Sequence, residues 1–455
     1  MSVAKTLAYA LPWWLAAAVG VQAYTSFDPV CTRPADSVNF VSSPDARGTM
    51  EILWSSLFTI VACTWTIHHP NVPEQRDGRD PGFLGDLRWG LWSALESAKL
   101  ALVTILTPEL IISVAWDQRR IAKKVMHELK ERADRDGVPW TLVHGHYVAM
   151  GGFVLRSNAL ECGRGGKPYH LTADDVILLR TNDNIERLPN LTRDEITDKS
   201  KSDPVMKGIA ICQILWSIAQ IATREIRQLP ISLLELNVLA LAACAICIYL
   251  LCWSKPKHVQ VAVTVRTYNG DLPEELKEKL EQPEMSAAWV ILFETAQALQ
   301  IIPTTHPKMG QPLSNTRVQL HPHEKEKETG KSGKSGVAAS LFLAATIFGA
   351  VHMAGWNITF PTKAEQIIWR CAIIYILTLP TLIFLLHCIG LVLFSRILRL
   401  EDEVIDPLLG IGGTILCWLY LAARLFILAE TARTFISLPP GMFISTWTRN
   451  IPHFS

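Results

Sequence analysis

The sequence predicts an all-α integral membrane protein with about six transmembrane helices. Several apolar stretches are each long enough to cross a bilayer, because a hydrocarbon core about 30 Å thick needs about 20 helical residues. Apolar residues make up 49% of the 455 residues and charged residues only 19%, whereas soluble globular chains average about 25% charged residues. The formal net charge is +1, so the composition indicates the lipid bilayer as the partner and no nucleic acid.

The beginning of the chain has two interpretations. Within residues 1–23, Lys5 supplies a positive end, residues 7–19 an apolar centre and residues 21–23 a small-residue end. This pattern is typical of a secretory signal peptide, and an uncleaved anchor helix is the alternative. Both interpretations place residues 24–48 in the lumen.

The predicted spans follow in three groups. They are one helix at 49–67, two helices in 205–253 and three helices in 337–436. The intervening segments, 68–204 and 254–336, hold 19 and 11 Lys and Arg residues. Because positive charge is retained on the cytosolic side of membranes, we predict that both segments are cytosolic and that the tail 437–455 is lumenal.

Two further apolar segments are less clear. Segment 95–116 carries charged side chains and has Pro108 and Glu109 near its middle, and we predict an in-plane or re-entrant segment there. Segment 287–302 is short for a span and contains Glu294. The sequence leaves open whether either segment crosses the membrane.

The two cytosolic blocks contain few predicted elements and little regular α/β structure. Residues 119–135 form a basic run that we predict as a helix near the anionic leaflet, with a solvated helix face as the alternative. A short helix is predicted at 173–179 with Thr172 as its N-cap. Alternating valines at 259–265 predict a strand, and the charged tract 324–336 predicts a flexible linker.

Two asparagines stand in glycosylation sequons, and the topology separates them. Asn357 would be lumenal and is the predicted glycosylation site, whereas Asn190 would be cytosolic and unmodified.

Four polar residues inside predicted spans are the candidate catalytic residues. An ionisable group within a bilayer is costly and therefore a functional candidate. The imidazoles could relay protons or act as a general base, and structural hydrogen bonds or salt bridges are the alternative for every member. The four are Glu235, His352, His387 and Arg424.

The sequence contains no pattern from which we predict a metal or cofactor site. The tract 330–335 contains Gly-Lys-Ser twice, but it lacks the first glycine of a phosphate-binding loop and a leading strand. The histidines show no metal-ligand spacing with Cys or carboxylate partners. The cofactor, if the protein uses one, stays unassigned.

Six segments of the chain carry a family resemblance: 63–73 (CTWTIHHPNVP), 144–153 (HGHYVAMGGF), 198–203 (DKSKSD), 229–236 (LPISLLEL), 253–256 (WSKP) and 438–440 (LPP). In this order they resemble a large family of polytopic membrane proteins of filamentous fungi and mushrooms that has no assigned reaction or ligand. The resemblance implies a fungal source and a multi-pass architecture. Some fungal membrane proteins of this kind are encoded beside secondary-metabolite genes, which favours a biosynthetic or accessory role. Pro70 departs from the aliphatic residue common in relatives.

Three functions are compatible with these observations. The first is a membrane enzyme or accessory factor that acts on a lipophilic small molecule in fungal secondary metabolism, and the intramembrane polar residues favour it. The second is a transporter or receptor-like protein, although no matched pair of broken helices is visible. The third is a membrane scaffold.

Overall fold

The computed structural model is predominantly helical. It describes residues 37–38, 40–43, 46–76, 80–157, 168–181, 184–200, 204–268, 285–286, 317–318, 329–389 and 402–447. The helices in this part of the chain are α1 (Thr49–Ile67), α2 (Phe83–Leu106), α3 (Pro108–Asp136), α4 (Leu142–Ala149), α5 (Ala173–Thr181), α6 (Arg193–Asp198), α7 (Pro204–Ile226), α8 (Leu233–Leu251), α9 (Thr329–Ala354), α10 (Lys363–Ile389) and α11 (Asp402–Phe435). The strands are β1 (Phe153–Ser157), β2 (Tyr169–His170), β3 (Val263–Tyr268), β4 (Met285–Ser286) and β5 (Arg317–Val318), and a 3-10 helix covers Pro440–Phe443.

Eight helices form an apolar bundle around one core. Buried residues of α1, α2, α3, α7, α8, α9, α10 and α11 belong to a single cluster, which includes Cys63, Ile112, Ala240, Phe348 and Trp369. Among the described residues, three helices are long and apolar enough to cross a membrane: α1, α8 and α7 from Val205 onward. Residues 339–354 of α9 form a shorter apolar helix.

The helices coincide with the apolar segments expected from the sequence. Helix α1 coincides with the predicted span 49–67, and α7 and α8 are the two helices predicted in 205–253, with outer ends at Pro204 and Leu251. Helices α9, α10 and α11 are the three helices predicted within 337–436. The bundle therefore fits the predicted all-α class. The number of six membrane crossings stays a prediction, as do the segments 1–23 and 287–302, which lie outside the described residues.

The predicted linker 324–336 is wrong for its second half. Residues 329–336 are the first turns of α9, whereas 324–328 lie outside the described residues. Glycine and serine disfavour helix by less than about 1 kcal/mol per residue. Extending an existing helix avoids the cost of nucleation, so the apolar half of α9 can carry the helix into this tract.

A second core belongs to a small α/β unit built mainly from residues 117–200, so the expectation of little regular α/β structure in this block is wrong. Strand β1 lies between β2, with which it is antiparallel, and β3, with which it is parallel. The predicted strand 259–265 therefore exists but begins at Val263. The predicted helix at 173–179 is confirmed as α5, whose residue Asp175 donates its backbone N–H to the Thr172 hydroxyl at 3.2 Å.

Helix α3 connects the two cores. Its first half packs in the bundle through Ile111 and Ile112, and its second half packs in the α/β unit through Val125 and Leu129. With a rise of 1.5 Å per residue the helix is about 43 Å long. The helix predicted from the basic run is thus confirmed, and its position near a leaflet stays a prediction.

Two buried lysines after α8 hold the units together. Lys257 Nζ donates to the carbonyl oxygens of Trp65 and Thr66 at 3.3 and 2.8 Å, which are among the orphan carbonyls at the end of α1. Lys255 Nζ donates to Asn71 Oδ1 at 2.9 Å and Gln118 Oε1 at 2.8 Å. Each cation is therefore satisfied by neutral oxygens at the junction.

We predict that acid destabilises the α/β unit through Asp136. Its carboxylate accepts from Arg180 Nη2 at 2.8 Å and from the Leu188 backbone N–H at 2.9 Å, and the Arg180 hydrogen bond lowers the pKa of Asp136. The contribution of the Asp136 carboxylate to the free energy of unfolding is complete above its unfolded-state pKa of about 4. This contribution is lost as the pH falls through the lower folded-state pKa.

The test is thermal unfolding of the detergent-solubilised protein between pH 3 and 7. We expect Asp136→Asn to cost about 1.5–3 kcal/mol at pH 7 and to flatten the acid limb of the stability curve. An unchanged acid limb in Asp136→Asn would contradict the assignment. Asp134→Asn, two residues earlier in α3, is the matched control.

Candidate functional site

A break between α2 and α3 brings a carboxylate into the bundle. The two helices are bent by 110° at Thr107. Pro108 cannot donate a backbone N–H and disfavours helical geometry at the preceding residue, so it ends α2 and begins α3. Glu109, the second residue of α3, is consequently 2% exposed in the apolar core. The segment 95–116 is therefore not one straight helix.

Glu109 forms a buried ion pair with a residue of α11. Arg424 Nη2 lies 2.6 Å from Glu109 Oε2, and both side chains are 3% exposed. The Tyr420 hydroxyl donates to Glu109 Oε1 at 2.6 Å, and Arg424 Nε donates to the Leu106 carbonyl at 2.9 Å. The guanidinium thus pairs with the carboxylate and also satisfies a carbonyl that the break leaves without a helical partner.

Two aromatic rings extend this cluster. The Arg424 guanidinium lies 3.6 Å from the centroid of the Phe348 ring, and the His352 ring stacks on Phe348 with centroids 4.2 Å apart. His352 Nδ1 lies 3.0 Å from the Phe348 carbonyl, a distance at which a protonated Nδ1 donates to it. In that tautomer of the neutral ring, Nε2 carries the lone pair, and this buried atom has no partner among the described residues. We call Glu109, Arg424, Tyr420, Phe348 and His352 the polar centre.

A narrow crevice, too tight as it stands to hold a water molecule, borders the polar centre. Its apolar wall is formed by Ile105, Leu106, Phe348, Ile427 and Leu428, and its polar lining is formed by Asn237 and Arg424. Asn237, on α8, is 4% exposed. Within the described part of the chain, neither its side chain nor Arg424 Nη1 makes a hydrogen bond, so both groups remain uncommitted beside an apolar wall.

Glu235 is not part of this site. Arg47 Nη2 lies 2.5 Å from Glu235 Oε1, with both side chains buried. Glu235 Oε2 accepts from the Ser232 backbone N–H at 3.0 Å and from its hydroxyl at 2.8 Å, and these contacts form a capping box at the start of α8. These contacts give the carboxylate a structural role at a helix end, apart from the polar centre, and a catalytic role for Glu235 stays a prediction.

Arg224 reinforces the same end of the bundle. Its guanidinium donates to the carbonyls of Pro230, Gly441, Met442 and Ile444 at 2.9–3.2 Å. These contacts hold the segment after α11 against the α7–α8 connection. We call Arg47, Arg224 and Glu235 the arginine lock.

The remaining candidates are less informative. The side chain of His387, on α10, lies outside the described residues. Asn357 is exposed between α9 and α10 and Asn190 is exposed in the α/β unit, so their glycosylation states stay predictions. No group of three or more potential metal ligands occurs among the described residues.

Sequence reasoning therefore identified two residues of the polar centre, Arg424 and His352, and missed the others. Glu109 carried a signal, because a carboxylate beside a proline in an apolar segment must be paired when buried. An unpaired arginine in another apolar segment was the matching signal. Tyr420 and Asn237 had no comparable signal, because both occur commonly within helical sequence.

The fold and site define a largely helical protein with candidate membrane spans and a buried ion pair beside a broken helix. A family model described as a family of unknown function (DUF8562) matches residues 21–277. The match covers more than half of the 455 residues, and the chain belongs to this family. No curated protein matches the chain, and no solved structure matches it either.

The family match covers only some of the residues that form the site. Glu109 and Asn237 lie inside residues 21–277, whereas Phe348, His352 and Arg424 lie beyond them. The site is thus built from both parts of the chain.

Proposed function

We propose that this protein is embedded in a membrane and binds a lipophilic small molecule at the crevice beside the polar centre, as an enzyme or accessory factor. One observation carries the proposal: a buried Glu109–Arg424 ion pair borders an apolar crevice with an uncommitted amide. A fungal source and a place in secondary metabolism belong to the same proposal and rest on the sequence resemblance.

The outer surface of the bundle supports membrane insertion. Large apolar side chains are exposed on several helices, including Val61 on α1 (61%), Leu215 on α7 (60%) and Leu250 on α8 (65%). In water such a surface would be costly at about 25 cal/mol per Å², whereas lipid chains cover it. The proposed topology has six crossings, with 68–204 and 254–336 on the cytosolic side and the segment 95–116 entering the bundle as a re-entrant segment.

The crevice suits a lipophile because of its lining. Ile105, Ile427 and Leu428 offer apolar contact. The ion pair adds a fixed dipole that can orient a polar group of the ligand, because electrostatic interactions are strong in a low-dielectric interior. Binding sites for small molecules are commonly apolar with a few polar groups that fix orientation. Because the crevice has no free room as it stands, binding requires side chains of its wall to move aside, and Ile105 and Leu428 are both only half-buried.

We expect Leu428→Trp to remove the bound molecule. The indole would occupy the space that the ligand needs, and if displacing it costs the ligand about 1.4 kcal/mol or more, the affinity falls tenfold or more. The experiment is mass spectrometry of lipophilic molecules that co-purify with the protein in mild detergent. Each amount is expressed per mole of monodisperse protein.

Leu425→Trp is the matched control, since Leu425 lies on the same helix but is 50% exposed. It should retain the wild-type amount. The absence of any enriched lipophile in wild-type protein would overturn the function, and equal retention in both variants would overturn the location. A strain without the chain should accumulate or lose the same compound in its lipid extract.

A transporter is the second candidate, and the broken helix is the observation that favours it. Transporters often place substrate sites where a discontinuous helix exposes its ends inside the bundle, as the α2–α3 break does beside Glu109. Gradient-dependent flux into proteoliposomes that is lost in Leu428→Trp would support transport. Ligand binding without flux would support an enzyme or accessory factor.

A further inference from the structure

We propose that the ligand carries a neutral carbonyl head group, which accepts hydrogen bonds from Asn237 Nδ2 and Arg424 Nη1. This inference rests on the proposed binding site at the crevice and specifies the chemistry of the ligand. It depends on two uncommitted donors among the described residues that line the same crevice.

The first argument is the unused hydrogen-bonding capacity. A buried polar group without a partner is disfavoured, so a protein retains one mainly where a partner arrives. Asn237 is 4% exposed and has leucine and valine neighbours in the chain at positions 236 and 238. An apolar residue at position 237 would have continued this apolar run of α8 without leaving a buried polar group unpartnered.

The second argument is the number of donors. Two of the three Arg424 guanidinium nitrogens are committed, Nη2 to Glu109 and Nε to the Leu106 carbonyl. The third, Nη1, is a donor and never an acceptor. Asn237 adds an amide donor to the lining of the same crevice, and two donors are the number that the two lone pairs of one carbonyl oxygen can accept.

The third argument is charge. Glu109 and Arg424 neutralise each other in a buried pair. A carboxylate ligand would add a third charge without a counterion in an apolar environment, which is strongly unfavourable. An ammonium group would face the guanidinium. A ketone, ester or amide carbonyl is accommodated without extra charge, and the apolar wall accepts its hydrocarbon chain.

The test compares three probes of equal chain length: a methyl ketone, the corresponding alkane and the corresponding fatty acid. Binding to delipidated wild-type protein in detergent is measured by native mass spectrometry. We expect the ketone to bind about tenfold more tightly than the alkane, the value for two ordinary hydrogen bonds. The fatty acid at neutral pH should bind more weakly than the ketone.

Asn237→Leu is the decisive variant. It should reduce the preference for the ketone to about threefold or less, as one hydrogen bond is lost, while alkane binding is unchanged. Its thermal unfolding temperature should equal or exceed that of the wild type, because an unpartnered buried amide is removed. A lower unfolding temperature would show that Asn237 already has a partner, which would overturn the inference.

Other outcomes separate this inference from the proposed function. Equal binding of ketone and alkane to the wild type, preference for the fatty acid, or an unchanged ketone preference in Asn237→Leu would overturn the carbonyl head group alone. Failure of all three probes to bind, with Leu428→Trp indistinguishable from the wild type, would overturn the binding site itself.

Discussion

Replacing Arg424 with leucine is expected to destabilise the protein by about 3–5 kcal/mol, because Glu109 would remain buried without its counterion. The change also leaves the Leu106 carbonyl without its donor at the break between α2 and α3. Such a loss is a large fraction of a typical total stability of about 5–15 kcal/mol. The measurement is the yield of monodisperse protein in detergent, with thermal unfolding of the fraction that folds.

The matched control is Arg433→Leu on the same helix. Arg433 pairs with Glu365 at 2.5 Å, with side chains 56% and 14% exposed, and because this guanidinium stays in contact with solvent, its loss should cost less than the loss of Arg424. The double variant Glu109→Gln with Arg424→Met should recover much of the lost stability, since no unpaired charge remains. Equal stability of Arg424→Leu and Arg433→Leu would contradict a structural role for the buried pair.

Replacing Glu235 with leucine should have a comparable effect at the other end of the bundle. Arg47 would lose its carboxylate partner, which costs about 3–5 kcal/mol for a buried pair, and α8 would lose a capping contact worth about 1 kcal/mol. We expect reduced folded yield and faster proteolysis of the segment 438–447, which Arg224 and its neighbours hold. Limited proteolysis in detergent measures the second effect.

Glu225→Leu is the control for this prediction. Glu225 is an exposed carboxylate near the end of α7, and its replacement should change stability by less than about 0.5 kcal/mol. If Glu235→Leu folded as well as Glu225→Leu and lost only ligand binding, Glu235 would belong to a functional site after all. The arginine lock would then not be the reason for its burial.

The positions of the helices follow from local properties of the chain. Apolar stretches of about 20 residues produce helices that must bury or embed their side chains. Pro108 ends α2 because of its own covalent geometry, and Thr172 caps α5 through a hydroxyl that reaches the N–H three residues later. These effects act over a few residues, and sequence reasoning can evaluate them without knowing the fold.

The partners of the charged residues could not be predicted in the same way. Arg424 pairs with Glu109 across 315 positions of the chain, and Arg47 pairs with Glu235 across 188. Many pairings of buried charges satisfy the same electrostatic requirement, and helix packing selects among them. Sequence reasoning therefore grouped Glu235 with His352 and Arg424, whereas the structure places Glu235 in the arginine lock.

The sequence by itself determined a mostly helical chain with apolar segments long enough to cross a membrane, an irregular segment around Pro108 and buried charges that need partners. Only the tertiary structure decided that Glu109, Arg424, Tyr420, Phe348 and His352 meet, and that Asn237 faces the same crevice without a partner. The physical reason is the distance along the chain over which each effect acts. Helix propensity, capping and hydrophobicity are properties of neighbouring residues, whereas a site assembled from α3, α8, α9 and α11 depends on how those helices pack.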